Sequence, residues 1–579
     1  MKEKVWIGPE RNSAIIESLS DSLKISNKLC SLLAQRNIKN YQEAFHFFRP
    51  NLEDLHDPFL MKGMEKTCSR IHQAIRDSDP ILLYGDYDVD GTTAVSLLFR
   101  YLKKLSPNIQ YYLPDREKEG YGVSKSGIEW AKDKGFGLII SLDCGIKSHA
   151  EIKLANSYGI DFIICDHHLP DQNLPYSFSI LNPKQEDCPY PFKFLSGCGI
   201  AFKLIQALNL LLPQENWDME ECLDLVALSI ACDMVEVIGE NRILAFYGLK
   251  RINSNPQLGI SSLLKVCHKN RFGDDPTPKI RFQEILFQLG PRINAAGRLG
   301  DAERVVELFT TEDPFLANNI AHDLDEENIK RKEIEIKITQ DALNLLKKER
   351  EALEEENPLP FSNVLYHPEW HKGLVGIVAS RIIEKHYAPT IILTESRGMI
   401  TGSARSVGDF NIYEAIEECK DLLDQFGGHA SAAGLQLKKE NLGDFKSRFE
   451  SICAQRMGGI SLKPKLYFQE ELDLEEINPG FFKILDQFSP HGPGNPSPLF
   501  ISRRIKITKG PFKIKESHLK LAFSKKDGQI LEGIGFGLAH LMKGLFPQTD
   551  YDICYQVEMN HFRGNTTLQL LIKDIKPSQ

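Results

Sequence analysis

An α/β architecture is expected for this chain: a parallel-sheet domain, a smaller α/β domain joined to it by a long helix, and a C-terminal β-barrel. Three patterns predict it. From Pro80, short apolar runs alternate with amphipathic stretches, as βαβ units do. Residues 315 to 356 are charged and free of Pro and Gly, as a long connecting helix requires. Beyond about residue 463, short segments alternate apolar and polar residues between turn residues, which suits a small barrel.

The first 55 residues, with apolar positions such as Leu29, Leu32, Leu33, Ala44, Phe47 and Phe48, suggest a helical appendage with one buried face. The parallel-sheet domain then spans 56–314. Its strands are expected at Ile81–Tyr84, Ile109–Leu113, Gly137–Leu142 and Ile160–Cys165, with helices at Thr92–Lys104, Ser124–Lys134 and Lys147–Tyr158 between them. Each connection should be a right-handed crossover. The connecting helix takes 315–357 and should stop at Asn357-Pro358. The second α/β domain takes 358–462 and the barrel 463–579.

At 579 residues the chain exceeds one hydrophobic core, and about three or four domains is the expectation. A net charge of −9 gives no global attraction for nucleic acid, so any such binding must use local basic patches. The 12 cysteines form no CxxC pair and indicate neither a zinc site nor a disulfide framework. The opening MKEKVWIGPERNS lacks the apolar core of a signal peptide, and no apolar run reaches membrane-spanning length. A cytoplasmic enzyme or binding protein, with no membrane partner, is the expectation.

The chemistry sits at strand ends. Ile81-Leu82-Leu83 leads into YGDYDVDG at 84–91. In an extended segment the alternate positions Asp86, Asp88 and Asp90 would point to one side, and the helix expected from Thr92 puts these acids in the turn between strand and helix. Acids so crowded repel and titrate upward unless a cation holds them. The next strands run into Asp143 and into Asp166-His167-His168, and the apolar stretch Leu223 to Ala231 delivers Asp233. Ligands collect at the carboxyl edge of such sheets. Convergent carboxylates and imidazole, without thiolate, point to a binuclear site for Mn²⁺ or Mg²⁺. A His pair directly after a strand-end Asp reads as a ligand and its supporting partner.

GDYDVDG, the DCG at 143–145, the DHH at 166–168 and the Asp of ACDMV resemble the four motifs of the DHH phosphoesterase superfamily. PDREKEGYG (114–122), FQLGPRINAAGRLG (287–300), HKGLVGIVASR (371–381), GSARS (402–406), GGHASAAG (427–434) and PHGPGNPSP (490–498) narrow the resemblance to RecJ-type exonucleases. It extends from about residue 50 to the end, with His491 standing where the family commonly has Phe.

The resemblance implies DHH and DHHA1 domains, an OB-fold barrel and a 5′→3′ exonuclease that releases mononucleotides from single-stranded DNA in repair and recombination. It implies strand selection by a cleft too narrow for a duplex. A single-strand-binding protein and a helicase become candidate partners, and a monomer the expected state. Two-metal hydrolysis would use Asp88, Asp90, Asp143, His167 and Asp233 as ligands, one acid bridging both ions. Asp86 and His168 would stand behind them or coordinate weakly, with His168 a candidate partner of the leaving group.

Arg116 and Tyr121, in the loop after the second strand, are candidates for a phosphate contact and a base or sugar contact. Arg292, Asn294 and Arg298 lie in a stretch that suits scissile-strand phosphates or, equally, buried helix packing. Ser403 and Arg405, and Gly428 and His429, sit in small-residue segments read as phosphate-capturing loops. Arg503, Arg504 and Lys506 lie in the most basic stretch, with Phe500, Phe512 and Phe523 interleaved. That suits strand binding, although the Phe residues could equally fill a barrel core. The alternatives are a small-molecule or oligonucleotide phosphoesterase with the same metal core, a non-catalytic replication scaffold, and a pure single-strand-binding protein.

Overall fold

The computed structural model describes residues 4–116, 118–212, 217–272, 279–299, 301–352, 360–460, 462–547, 549–562 and 565–578. The expected helix stop at Asn357-Pro358 lies outside them. The chain divides into two compact units: Met1–Glu10 with Ile329–Gln469 and Asp574–Lys576, and Arg11–Asn328 with Glu470–Lys573 and Pro577–Gln579.

In the larger unit, strands β1 (Ile81–Gly85), β2 (Ile109–Tyr112), β3 (Leu138–Leu142), β4 (Asp161–Cys165) and β5 (Ser179–Leu181) form a parallel sheet in the order β2-β1-β3-β4-β5. The central strands read as unbroken apolar runs because both faces are covered. Ile81, Leu83, Leu138 and Ile140 enter one core; Leu82, Tyr84, Ile139 and Phe162 enter the other. Helices α1 (Val89–Lys103), α2 (Lys125–Asp133), α3 (Gly197–Leu211), α4 (Leu223–Asp233) and α5 (Gly290–Leu299) follow in the same unit.

The three acids of YGDYDVDG occupy the turn between strand and helix, as expected. β1 ends at Gly85, and Asp88 is already the N-cap of α1, accepting from the Gly91 N–H at 3.1 Å. A side chain at position 91 would put its Cβ 2.4 Å from the Asp86 carbonyl oxygen, so the tight entry into α1 requires glycine. The acids therefore fan out around a turn.

Helix α6 (Pro314–Glu351) runs from one unit into the other. The smaller unit holds β6 (Asn363–Tyr366), α7 (Val375–Lys385), β7 (Thr390–Ser396), β8 (Met399–Arg405), β9 (Gln425–His429) and β10 (Ala432–Leu437), with sheet order β9-β10-β8-β7-β6. This corrects the loop reading of GSARS and GGHA. Ser403 and Arg405 lie on β8, and Gly428 and His429 on β9, each strand paired antiparallel with β10. The small residues let three strands approach where the pattern suggested turns.

The C-terminal region closes as a five-stranded barrel: β11 (Phe500–Ile514), β12 (His518–Ser524), β13 (Ile530–Gly535), β14 (Asp550–Phe562) and β15 (Asn565–Pro577), with β11 pairing β14 to complete the ring. The glycine-bearing β13 was not apparent in the sequence. Phe500 and Phe523 fill the core, whereas Phe512 is exposed.

The N-terminal 55 residues are not a helical appendage throughout. Val5–Ile7 is a strand paired parallel with Lys465–Tyr467 in the smaller unit. Residues from Arg11 onward pack into the larger unit. There Arg36 donates to Asn495 Oδ1 at 2.6 Å and Lys28 to the Glu471 carbonyl at 2.6 Å.

Buried Arg242 lies over the Phe47 ring, 3.8 Å from its centroid, and donates to the carbonyls of Phe47, Gln487, Phe488 and Ser489. It thereby joins the N-terminal helices to the segment before the barrel. Arg242→Ala should lower unfolding free energy by roughly 3–5 kcal/mol, because several buried carbonyls lose their donors. Urea denaturation of the two proteins measures this.

Candidate metal centre

Asp86, Asp88, Asp143, Asp166, His167 and His168 all follow the carboxyl ends of β1, β3 and β4, which are in register at that edge. Asp233 arrives at the C-terminal end of α4. Among the described residues three overlapping groups form, each with ligand atoms within 4.8 Å of one another: Asp86, Asp88 and Asp143; Asp90, His167 and Asp233; Asp143, His167 and His168. His167 Nε2 stands 3.0 Å from Asp143 Oδ1, 3.5 Å from Asp233 Oδ2 and 3.6 Å from Asp90 Oδ2.

Each acid is supported differently. Asp90 faces the N-terminus of α3: Oδ2 accepts from the Gly197 N–H at 2.6 Å, and Oδ1 from the Cys198 N–H at 2.8 Å and the Ser229 hydroxyl at 2.6 Å. A helix N-terminus favours negative charge there. Asp143 has φ +62°, a left-handed conformation that Asp adopts more readily than most residues. Its N–H is held by the Cys165 carbonyl at 2.9 Å.

Both oxygens of Asp86, Oδ1 of Asp143 and both ring nitrogens of His167 are buried without a hydrogen bond. Burial, and then repulsion from neighbouring aspartates, pushes Asp86, Asp88, Asp143 and Asp233 above the usual carboxylate range. Burial drops His167 to about 4, so its ring is neutral and its lone pair available. Buried oxygen and nitrogen atoms gathered in this way without hydrogen-bond partners fit divalent cations held by carboxylate and imidazole.

Asp166 serves another purpose, which the sequence reading left unassigned. Its Oδ1 accepts from His168 Nδ1 at 2.7 Å and from the His168 N–H at 3.0 Å, and Oδ2 from the Ile146 N–H at 3.0 Å. Burial would raise Asp166, but the His168 bonds outweigh it and hold the acid at about 2. Burial would lower His168, but Asp166 lifts it to about 9. The available signal was the position of Asp166, at a strand end directly before two histidines.

Tyr121, 59% exposed, brings its hydroxyl 3.2 Å from His168 Nε2. Arg116 lies 5.2 Å from the centroid of the Tyr87 ring, a residue set between the motif acids in sequence. Arg298 acts on the same tyrosine electrostatically. Position 297 lacks room for a side chain: a Cβ there would lie 2.6 Å from the Tyr87 carbonyl oxygen, which accounts for the glycine of NAAGRLG. Asn294 is half-buried on α5. Arg292 is buried and paired with Asp325 at 2.7 Å, so it serves the packing of α5.

The remaining candidates belong to the smaller unit and to the barrel. Arg405 donates to Ser403 Oγ and the Ala404 carbonyl, both at 2.8 Å. His429 is exposed, and its Nδ1 accepts from the Ser431 N–H at 3.3 Å. On the barrel, Arg503 faces Glu471 at 3.2 Å and Asp552 at 3.0 Å, and Lys506 lies 3.9 Å from Asp550. Arg504, at φ +53°, donates its backbone N–H to Asp552. Local acids thus offset much of the charge that makes this stretch basic in sequence.

Comparison with known proteins agrees along the chain. The DHH family N-terminal domain matches residues 80–230, the DHHA1 domain 361–455 and the RecJ OB domain 469–574. The single-stranded-DNA-specific exonuclease RecJ of Bacillus subtilis (strain 168) is 35% identical over 567 residues, covering 97% of this chain and 70% of that protein. Its counterpart in Escherichia coli (strain K12) is 33% identical over 604 aligned positions, covering 100% of both. The crystal structure of RecJ in complex with Mn²⁺ from Thermus thermophilus has a TM-score of 0.82 at 26% identity, covering 99% of this chain and 80% of that one. This chain belongs to the RecJ family of single-stranded-DNA-specific exonucleases.

Proposed function

We propose that the chain is a single-stranded-DNA-specific exonuclease that hydrolyses phosphodiester bonds with two divalent cations, Mn²⁺ or Mg²⁺. It works 5′→3′ and releases 5′-mononucleotides. The observation that carries this reading is the convergence of buried, unbonded carboxylate and imidazole lone pairs at one sheet edge. Asp86, Asp88 and Asp143 would hold one ion and Asp90, His167 and Asp233 the other.

Bound ions supply Lewis-acid charge at the scissile phosphate and lower the pKa of an attacking water. The chain positions the rest. The α3 N-terminus fixes the rotamer of Asp90, and Asp166 occupies His168 Nδ1, leaving Nε2 as the nitrogen directed away from Asp166. Arg116 and Arg298 supply positive charge around Tyr87, where the strand's phosphates would lie. Single-stranded DNA is the partner. A helicase and a single-strand-binding protein, which produce and hold such strands, would accompany a monomeric, cytoplasmic enzyme. Among the described residues no helix is long and apolar enough to cross a membrane.

Asp143→Asn keeps the shape and tolerates the left-handed backbone, but removes a charged ligand. Turnover should fall by about a thousandfold or more. In EDTA the variant should melt at or above the wild-type temperature, because one repelling charge is gone. Retained turnover would remove Asp143 from the ligand set.

Chelation should abolish nucleotide release from labelled single strands, and added Mn²⁺ should restore it. Activity that survives thorough chelation would contradict the reading. Strand binding should weaken steadily with salt, since neutralised phosphates release counterions; a filter-binding series from low to high salt measures the slope.

A further inference from the structure

Glu119 takes no part in the chemistry described above, yet its carboxylate gathers donors from several elements. Oε2 accepts from the Tyr112 hydroxyl at the end of β2 at 2.9 Å, from the Ser126 hydroxyl at 2.7 Å and from the Ser124 hydroxyl. Oε1 accepts from the Asp115 N–H at 2.8 Å, and the Glu119 N–H returns a bond to the Asp115 carbonyl at 2.8 Å. Ser124 is the N-cap of α2, and its own N–H donates to the hydroxyl of Tyr84 at 3.1 Å. Tyr84 is a buried residue of β1, two positions before Asp86.

One carboxylate therefore ties the end of β2, both ends of the 114–122 loop and the start of α2 to the strand that leads into the metal cluster. Burial opposes the charge, but the hydroxyl and amide donors outweigh it and hold Glu119 below the usual glutamate range. The loop so held presents two side chains to the centre. Tyr121 meets His168 through its hydroxyl, Arg116 lies over Tyr87, and the Tyr87 and Tyr121 rings meet edge to face with centroids 6.3 Å apart.

We propose that Glu119 is a positioning residue: its carboxylate latches the 114–122 loop so that Arg116 and Tyr121 stand ready to receive the terminal nucleotide of the single strand. This rests on the reading of the centre as a strand-cleaving site. A latched loop binds without first having to be ordered, which is the advantage of preorganisation. Only a carboxylate offers acceptor lone pairs on both oxygens to converging donors. Glutamine keeps one acceptor oxygen and turns donors toward the other groups; alanine keeps nothing.

The test measures steady-state cleavage of a labelled single strand, and its equilibrium binding by fluorescence anisotropy in the inactive Asp143→Asn background. Glu119→Ala should raise KM and Kd about tenfold while kcat changes less than about threefold and the melting temperature stays near wild type. Glu119→Gln should fall between, and keeps the test usable if the alanine variant folds poorly. Glu119→Ala combined with Tyr121→Ala should lose less than the product of the single losses, because both act through one loop.

An unchanged Kd in a folded variant would overturn the proposal. So would multiplicative losses, or a fall in kcat that tracks a fall in melting temperature. If the wild-type protein fails to cut single strands, the exonuclease reading fails instead, and the two failures are distinguishable.

Discussion

Buried negative charge that the polypeptide leaves uncompensated governs this structure. Taking a carboxylate out of water costs several kcal/mol unless something charged or hydrogen-bonded replaces the solvent. Asp166 has His168 and the Ile146 N–H; Asp90 has the α3 N-terminus and Ser229. Asp86 has neither, and Asp143 keeps one oxygen bare against His167. A fold that holds these groups together must do so through rigid surroundings, and the parallel sheet with apolar cores on both faces provides them. The left-handed backbone at Asp143 belongs to the same account: local strain persists where the surroundings over-determine it.

Support for the centre is layered. Asp166 orients His168, a helix terminus orients Asp90, and the 114–122 loop brings Tyr121 to His168 under the hold of Glu119. None of these supporting residues needs to touch an ion. Each limits the conformations available to a group that would, and supporting partners of this kind set ligand orientation and basicity.

Much of the centre was legible because apolar strands announce themselves and acids at their ends stand out. Asp86, Asp88, Asp90, Asp143, His167 and Asp233 were all named from that pattern, and the structure brings them together. The manner of assembly was less legible. The turn holding the first three acids was expected from the helix that follows it, but the role of Asp88 as the N-cap of that helix was not. Asp166 and Glu119 act mainly through near neighbours, His168 for the first and Tyr112, Asp115, Ser124 and Ser126 for the second, but these contacts form only where the chain folds back after a strand, which the spacing does not show. Phosphate binding and helix packing were equally open for Arg292, because its partner Asp325 lies on a different helix. The basic run around Arg503 likewise meets acids from β14, distant in sequence and adjacent only in the closed barrel. The GSARS and GGHA segments show the converse error: glycine and small residues read as loops can also permit close strand packing.

Counting the ions tests the central claim most directly. Metal-free protein titrated with Mn²⁺, followed by calorimetry and by electron paramagnetic resonance, should bind two ions per chain. Binding should release protons at mildly acidic pH, because carboxylates held above their usual range must lose them to bind, and it should raise the melting temperature. Absence of saturable binding, or binding with neither proton release nor stabilisation, would contradict the account.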